Sequence, residues 1–116
     1  MFVVPEGRIA YFDVDDTLLE WVESDIQNGT CITHNDRVFW RNAIQENIDE
    51  LIRQAEAGTR IVVWSAGGSG WAETVVNALQ LADYVDCILT KPDHVYDDKD
   101  PKTWMPKRRF GSSRKL

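Results

Sequence analysis

The alternation of apolar strands with amphipathic helices is the feature that most restricts how this chain can fold. β-Branched and aromatic residues dominate three runs, RIAYFDV (8–14), RIVVW (60–64) and VDCILT (85–90), which predict buried strands. Between these runs, apolar residues recur at helical spacing and predict helices over 35–58 and 71–83. This order is typical of a parallel sheet with helices on its faces. We therefore predict a three-layer, Rossmann-like α/β fold.

Two shorter features complete the predicted architecture. Asn28 and Gly29 lie between β-capable runs and suit a tight hairpin turn, because both residue types tolerate positive φ. We expect a small β-hairpin flap over about residues 18–34. The run HVYDD (94–98) predicts a short fourth strand that ends in two acids.

Composition places the chain among ordinary soluble domains. Its 116 residues suffice for one core, and 43% of them are hydrophobic while 28% are charged. The N-terminus lacks the pattern of a signal peptide, and no apolar run is long enough to cross a bilayer. Cys31 and Cys87 are isolated, which indicates a reduced, cytoplasmic compartment. We predict a single domain over residues 1–106.

Charge is unevenly distributed along the chain. All 19 acidic residues precede residue 101, whereas six of the 13 lysines and arginines follow it. The segment 107–116 is therefore a basic tail, which we expect to be flexible. Two interpretations of the tail stay open: a solvated terminus, or an arm that contacts an anionic partner such as nucleic acid.

Polar residues follow each of the four predicted strands. Asp13–Thr17 come after the first strand, Ser65–Gly70 after the second, Lys91 after the third, and Asp97 and Asp98 after the fourth. In open α/β sheets, ligands bind outside the carboxyl ends of the strands. We therefore expect these residues to form one site.

The residue types in this predicted site suit a phosphoryl group. Clustered carboxylates repel one another unless a cation lies among them, and oxygen ligands favour a hard ion such as Mg²⁺. Lys91 adds a fixed positive charge. Ser65 and the backbone amides of Ala66–Gly68 can donate hydrogen bonds to anionic oxygens. The pattern predicts a site that holds Mg²⁺ and a phosphorylated substrate.

Four stretches of this sequence occur in a fixed order: IAYFDVDDTL, IVVWS, the lysine of LTKP (Lys91) and VYDD. In these stretches the chain resembles the four ordered motifs of the haloacid dehalogenase (HAD) superfamily of phosphotransferases. The run KPDHVYDDK is similar to the compact third and fourth motifs of small members without a cap domain. The likeness covers residues 8 to 99.

The resemblance implies a role for each motif residue. Asp13 would be the nucleophile that forms an aspartyl-phosphate, and Asp15 would be the general acid and base. Thr17 would orient this loop at the phosphate, which Ser65, the Ala66 amide and Lys91 would bind.

The resemblance also implies a Mg²⁺ site. Its ligands would come from Asp13, Asp15, Asp97 and Asp98, with Asp15 contributing its backbone carbonyl and Asp98 acting directly or through water.

The resemblance thus implies a Mg²⁺-dependent phosphomonoester hydrolase without a cap domain. Members of this kind act on large substrates or use a neighbouring subunit as a lid, so a homo-oligomer is one expectation. The substrate could be a nucleotide, a nucleic-acid end or a sugar phosphate. Trp21 on the flap could stack on a base or sugar, or pack on the sheet. The alternative is a catalytically silent module that binds phosphate or a phosphoprotein.

Overall fold

The structure is a computed structural model that describes residues 7–24 and 28–105. In chain order its elements are β1 (Ile9–Asp13), β2 (Leu19–Glu23), β3 (Thr30–His34), β4 (Arg37–Ala43), α1 (Gln45–Glu56), β5 (Arg60–Ser65), α2 (Ser69–Ala78) and β6 (Cys87–Thr90). Single 3₁₀ turns occur at Ala82–Tyr84 and Pro101–Thr103. No helix within the described ranges is both long enough and apolar enough to cross a membrane.

A three-stranded parallel sheet forms the centre of the fold, in the order β1-β5-β6. Phe12 of β1 lies opposite Val63 of β5, which in turn lies opposite Ile88 of β6. Helix α1 precedes β5 and α2 connects β5 to β6, as parallel neighbours require. The prediction of a mixed α/β fold with a parallel sheet is confirmed.

Both helices belong to the core on one face of this sheet. Ile61 and Val63 point to the same face of β5, and they share a buried cluster with Leu51 of α1 and Val75 of α2. Tyr11 lies on the opposite face, where its ring is 4.4 Å from the ring of Trp64. Within the described residues, no α-helix packs on that opposite face, so only one of the two predicted helical layers is found there.

The second sheet is antiparallel, in the order β2-β4-β3, and it packs on α2. The ring of Phe39 meets that of Trp71 edge to face, with centroids 5.4 Å apart. On β3, His34 lies 3.0 Å from the hydroxyl of Thr74. Helix α2 is therefore covered by the parallel sheet on one side and by the antiparallel sheet on the other.

The predicted helix over 35–58 is wrong in its first part, because α1 begins only at Gln45. Asn35 and Asp36 have φ values of 51° and 62° and form the turn between β3 and β4. Asn and Asp tolerate this left-handed conformation, so they make a hairpin turn here instead of a helix cap. The β-branched and aromatic residues of β4 then favour an extended strand.

The predicted hairpin around Asn28 and Gly29 is also wrong in its pairing. Strand β2 pairs with β4 and not with β3, so the central strand of the flap is one that the sequence pattern assigned to a helix. The flap is a three-stranded sheet over residues 19–43, larger than the predicted segment 18–34.

The predicted fourth strand over 94–98 is absent, since this part of the described chain has no strand or helix. Val95 and Tyr96 are exposed. The carboxylates of Asp97 and Asp100 accept hydrogen bonds from the amides of Lys99 and Lys102, respectively. Such local hydrogen bonds compete with strand pairing. The side chains of Val95 and Tyr96 are exposed, so no apolar packing favours a strand instead.

Candidate functional site

The loop after β1 is a helical turn anchored by apolar side chains. Val14 and Leu18 are completely buried. The carbonyl of Val14 accepts hydrogen bonds from the amides of Thr17, Leu18 and Leu19 at 3.1, 2.8 and 3.3 Å. Burial of the apolar residues at both ends of the turn therefore fixes the backbone from which the aspartates project.

Helix α1 holds the same loop from behind. Asn47, whose exposed fraction is 8%, donates from Nδ2 to the carbonyl of Thr17 at 2.8 Å. The amide of Ile44 donates to the carbonyl of Leu18 at 2.9 Å. Thr17 was predicted to orient the loop, and its carbonyl is the group that the Asn47 side chain of α1 binds.

Asp16 has a structural role in this loop. It adopts a positive φ of 60°, and its Oδ1 accepts a hydrogen bond from the amide of Trp21 at 2.9 Å. Its own amide donates to the carbonyl of Leu19 at 2.7 Å. The third aspartate of the motif therefore connects the turn to β2.

Asp15 lies in an environment that favours its protonated form. Burial is the main cause that raises the pKa of this carboxyl above its ordinary value, and the charges of Asp13 and Asp16 raise it further. A hydrogen bond from Trp71 Nε1, 3.1 Å from Oδ1, and the positive charge of Arg41 lower it in part. A half-buried carboxyl with a raised pKa is a candidate general acid.

The parallel register aligns the ends of the three strands. Asp13 lies opposite Trp64, and Ser65 lies opposite Thr90, the residue before Lys91. The carbonyl of Ser65 accepts a hydrogen bond from the amide of Lys91 at 2.9 Å. Residues of three predicted motifs are therefore brought to neighbouring strand ends.

Ser65 also organises the turn that leads into α2. Its hydroxyl accepts a hydrogen bond from the amide of Gly67 at 3.0 Å, and its carbonyl accepts one from Gly68 at 3.1 Å. Ser65 is only 1% exposed, whereas Ala66 beside it is exposed. The exposed part of this turn is therefore the part that a ligand can reach most directly.

Lys91 combines a fixed backbone with an exposed side chain. Its amide donates a hydrogen bond to the carbonyl of Ser65, and the residue is exposed to solvent. We find no ion pair of Lys91 within the described part of the chain. Its ammonium group is therefore available to an anion at the strand ends.

Asp97 and Asp98 lie in the exposed segment after Lys91, and the charges that shift the pKa of Asp15 come from other residues. Asp97 accepts the amide of Lys99 at 3.0 Å. Over residues 7–24 and 28–105, no group of three or more His, Cys, Asp or Glu side chains is arranged to hold a metal ion. The metal roles of these two residues stay predictions. The basic tail, 107–116, lies outside the described residues.

Three residues that the sequence patterns did not single out surround Asp15 and its loop. Trp71 was assigned only to the core, while Asn47 and Arg41 were placed on the predicted first helix. Asn47 could have been singled out from the sequence, because it is a polar residue beside the apolar positions of the predicted helix. No sequence pattern singled out Arg41 as a site residue, because its strand was predicted to be part of a helix.

Comparison of the chain with protein-family models, with curated proteins and with solved structures finds no match. The functional interpretation therefore depends on the motifs and on the geometry described above.

Proposed function

We propose that this protein is a Mg²⁺-dependent phosphomonoester hydrolase of the HAD type, which acts through an aspartyl-phosphate on Asp13. The observation that carries the proposal is the meeting of Asp13, Ser65 and Lys91 at adjacent strand ends, next to an Asp15 whose pKa is raised by burial. One edge of the sheet thus offers a candidate nucleophile, candidate phosphate ligands and a candidate general acid, which supports the proposal.

In the first proposed step, a carboxylate oxygen of Asp13 attacks the phosphorus, and the bond from phosphorus to the leaving oxygen breaks. Asp15 gives its proton to that oxygen, and its raised pKa supports this role. In the second step, Asp15 accepts a proton from water as the water oxygen attacks phosphorus. The bond from phosphorus to Asp13 then breaks, which releases inorganic phosphate and restores both carboxyl groups.

The negative charge of the transferred group requires donors and cations around it. Lys91 supplies a positive charge that no described residue neutralises, and the Ala66 amide lies in the exposed part of the turn. Ser65 keeps this turn in shape through its bond with Gly67. Such preorganised donors stabilise charge in phosphoryl transfer.

The acid cluster fits a magnesium ion in its chemistry. The charges of Asp13 and Asp15 are close enough for one to raise the pKa of the other, and both offer oxygen ligands only. Mg²⁺ often needs no more than one or two carboxylates together with water and substrate phosphate. Asp13 would hold the ion through its carboxylate and Asp15 through its backbone carbonyl, and Asp97 and Asp98 are additional candidate ligands. When bound, Mg²⁺ would neutralise part of the charge on the phosphoryl group.

The test is hydrolysis of p-nitrophenyl phosphate with Mg²⁺ and with EDTA, by the wild-type protein and by Asp13→Asn. We expect metal-dependent release of phosphate by the wild-type protein and none by the variant, with the melting curves of both proteins alike. Acid quenching during turnover should trap phosphate on the wild-type chain only. Full activity of Asp13→Asn would overturn the role of Asp13. Phosphate binding without turnover would favour the silent binding module.

We also propose a phosphorylated small molecule or a nucleic-acid end as the class of substrate, because the flap leaves Trp21 56% exposed. Contact of the basic tail with nucleic acid and formation of a homo-oligomer belong to the same proposal. A phosphatase screen over these substrates, together with the molecular mass in solution, tests them.

A further inference from the structure

Arg41, on the central strand of the antiparallel sheet, is a nearly buried cation. The residue is 8% exposed, and its guanidinium lies between two aromatic rings, 5.5 Å from the centroid of Trp21 and 5.3 Å from that of Phe39. Aromatic faces attract a cation and hold its plane in place. The guanidinium is therefore positioned before any ligand arrives.

Most of the hydrogen-bonding capacity of this guanidinium is unused. Nη1 donates to the carbonyl of Trp40 at 3.1 Å, and this is the one hydrogen bond of the Arg41 side chain within the described chain. Nε is the single side-chain atom of the described residues that is both buried and unpartnered. Nη2 has no partner among the described residues either, and since Nε is the one buried atom without a partner there, Nη2 contacts solvent. A nearly buried guanidinium that makes one hydrogen bond is costly, and a ligand at Nη2 would offset part of this cost.

The position of Arg41 relative to the acids indicates what that ligand is. The Phe39 ring against which Arg41 lies is 5.4 Å from the ring of Trp71, centroid to centroid, and Trp71 Nε1 donates to Asp15 at 3.1 Å. Arg41 is therefore near Asp15, yet the two form no ion pair within 4.0 Å. In the proposed reaction, Asp15 protonates the leaving oxygen. In that reaction Arg41 would lie on the side of the leaving group, whereas Lys91 would lie at the strand ends that receive the transferred phosphoryl group.

We propose that Arg41 is the specificity-determining residue of this site and binds a second anionic group, a phosphate or a carboxylate, on the leaving group of the substrate. This inference rests on the proposed function. The exposed donor Nη2 would make the contact, and the rings of Trp21 and Phe39 would keep the guanidinium in position. A charge-assisted hydrogen bond of this kind favours substrates that carry the second anion by about tenfold or more.

Pairs of substrates that differ only in the second anion test this inference. Thymidine 3′,5′-bisphosphate is compared with both thymidine monophosphates, and 3-phosphoglycerate with glycerol 3-phosphate. We define the anion preference as the ratio of kcat/KM within a pair. We expect a preference of about tenfold or more in the wild-type protein for at least one pair, and the pair that shows it identifies phosphate or carboxylate.

Arg37→Gln is the matched control for Arg41→Gln. Arg37 lies on the same strand, and its guanidinium is also 5.3 Å from the ring of Phe39, but the residue is exposed. We expect Arg41→Gln to reduce the anion preference to about one, Arg41→Lys to keep part of it, and Arg37→Gln to keep all of it. If Arg41→Gln does not fold, the partial loss in Arg41→Lys is the test.

Two results would overturn the inference: no anion preference in the wild-type protein for either pair, or the same loss of preference in Arg37→Gln. If the wild-type protein hydrolyses none of the substrates, including p-nitrophenyl phosphate, the proposed function fails. In that case, calorimetry of thymidine 3′,5′-bisphosphate binding tests whether Arg41 binds an anion. Binding that Arg41→Gln weakens by about tenfold supports the anion site, and binding that the variant leaves unchanged excludes it.

Discussion

Two acidic segments of this protein differ sharply in how they are held. The loop after β1 has Val14 and Leu18 completely buried beneath its aspartates, and Asn47 fastens it to α1. The segment 91–100 after β6 is exposed at every residue. In the described part of the chain, the side-chain bonds found for its aspartates go to near neighbours, as that of Asp97 does to the amide of Lys99.

The difference teaches that acidic residues after a strand do not by themselves form a site. A carboxylate is positioned when neighbouring apolar residues enter the core and a distant element donates to its backbone. The first segment meets both conditions, and burial there raises the pKa of Asp15. The second segment meets neither condition among its described contacts. The comparison can be tested residue by residue.

The largest expected effect is on catalysis. Asp15→Asn removes the proposed general acid and should lower kcat by about a hundred- to ten-thousandfold. Asp97→Asn, in the exposed segment, should lower kcat by less than about tenfold. Steady-state hydrolysis of p-nitrophenyl phosphate at saturating Mg²⁺ measures both. An equal loss in the two variants would break the comparison, because it would mean that segment 91–100 joins the site when metal is bound.

The next effect is on stability. Leu18→Ala empties a fully buried position and should lower the free energy of unfolding by about 2–5 kcal/mol. Val95→Ala is the control, because Val95 is exposed and its truncation should change the same quantity by less than about 0.5 kcal/mol. Urea unfolding of both variants is the measurement. Similar values for the two would show that the loop is not anchored by its apolar residues.

A smaller effect is expected at the link to α1. Asn47→Ala leaves the carbonyl of Thr17 without its donor and should lower the free energy of unfolding by about 1–3 kcal/mol. Asp97→Ala removes a solvated bond and should stay within about 0.5 kcal/mol of the wild-type protein. Chemical denaturation compares them, and an unchanged stability of Asn47→Ala would argue against this link.

The smallest effect concerns the dependence of stability on pH. The pKa of Asp15 in the folded protein is raised above its ordinary value of 3.8, so ionised Asp15 favours the unfolded chain. Asp15→Asn should therefore be more stable than the wild-type protein. Its advantage should grow as pH rises from 3.8 to the raised pKa and then stay constant. Unfolding at about pH 4 and about pH 8 in EDTA measures it. An advantage that shrinks with rising pH would contradict the raised pKa.

Local patterns predicted the parallel sheet well. The first strand was predicted over 8–14 and is found at Ile9–Asp13, and the second, predicted over 60–64, is found at Arg60–Ser65. Strand β1 is less buried than predicted, since Ile9 and Tyr11 are exposed. Strand β5 is apolar because its residues 61–63 lie in the core, so composition alone marks it. For the same reason, the positions of Asp13 and Ser65 at strand ends could be predicted.

The flap and the last predicted strand were predicted less well. The apolar residues of β4 occur at spacings that also fit a helix, and Val38, which the helical pattern made part of a core, is exposed. Residues 94–98 have the composition of a strand but no strand beside them. A short strand needs a partner, and no local signal reports whether one exists.

The sequence by itself determined which residues could do chemistry and the ends of β1, β5 and β6 at which they lie. Only the tertiary structure decided that Trp71 and Arg41, from α2 and β4, surround Asp15, and that Asp97 and Asp98 lie in an exposed segment without a strand. The reason is physical. Strand ends follow from the local order of apolar and polar residues, whereas burial, a shifted pKa and an unpaired guanidinium depend on residues that meet only when the chain has packed.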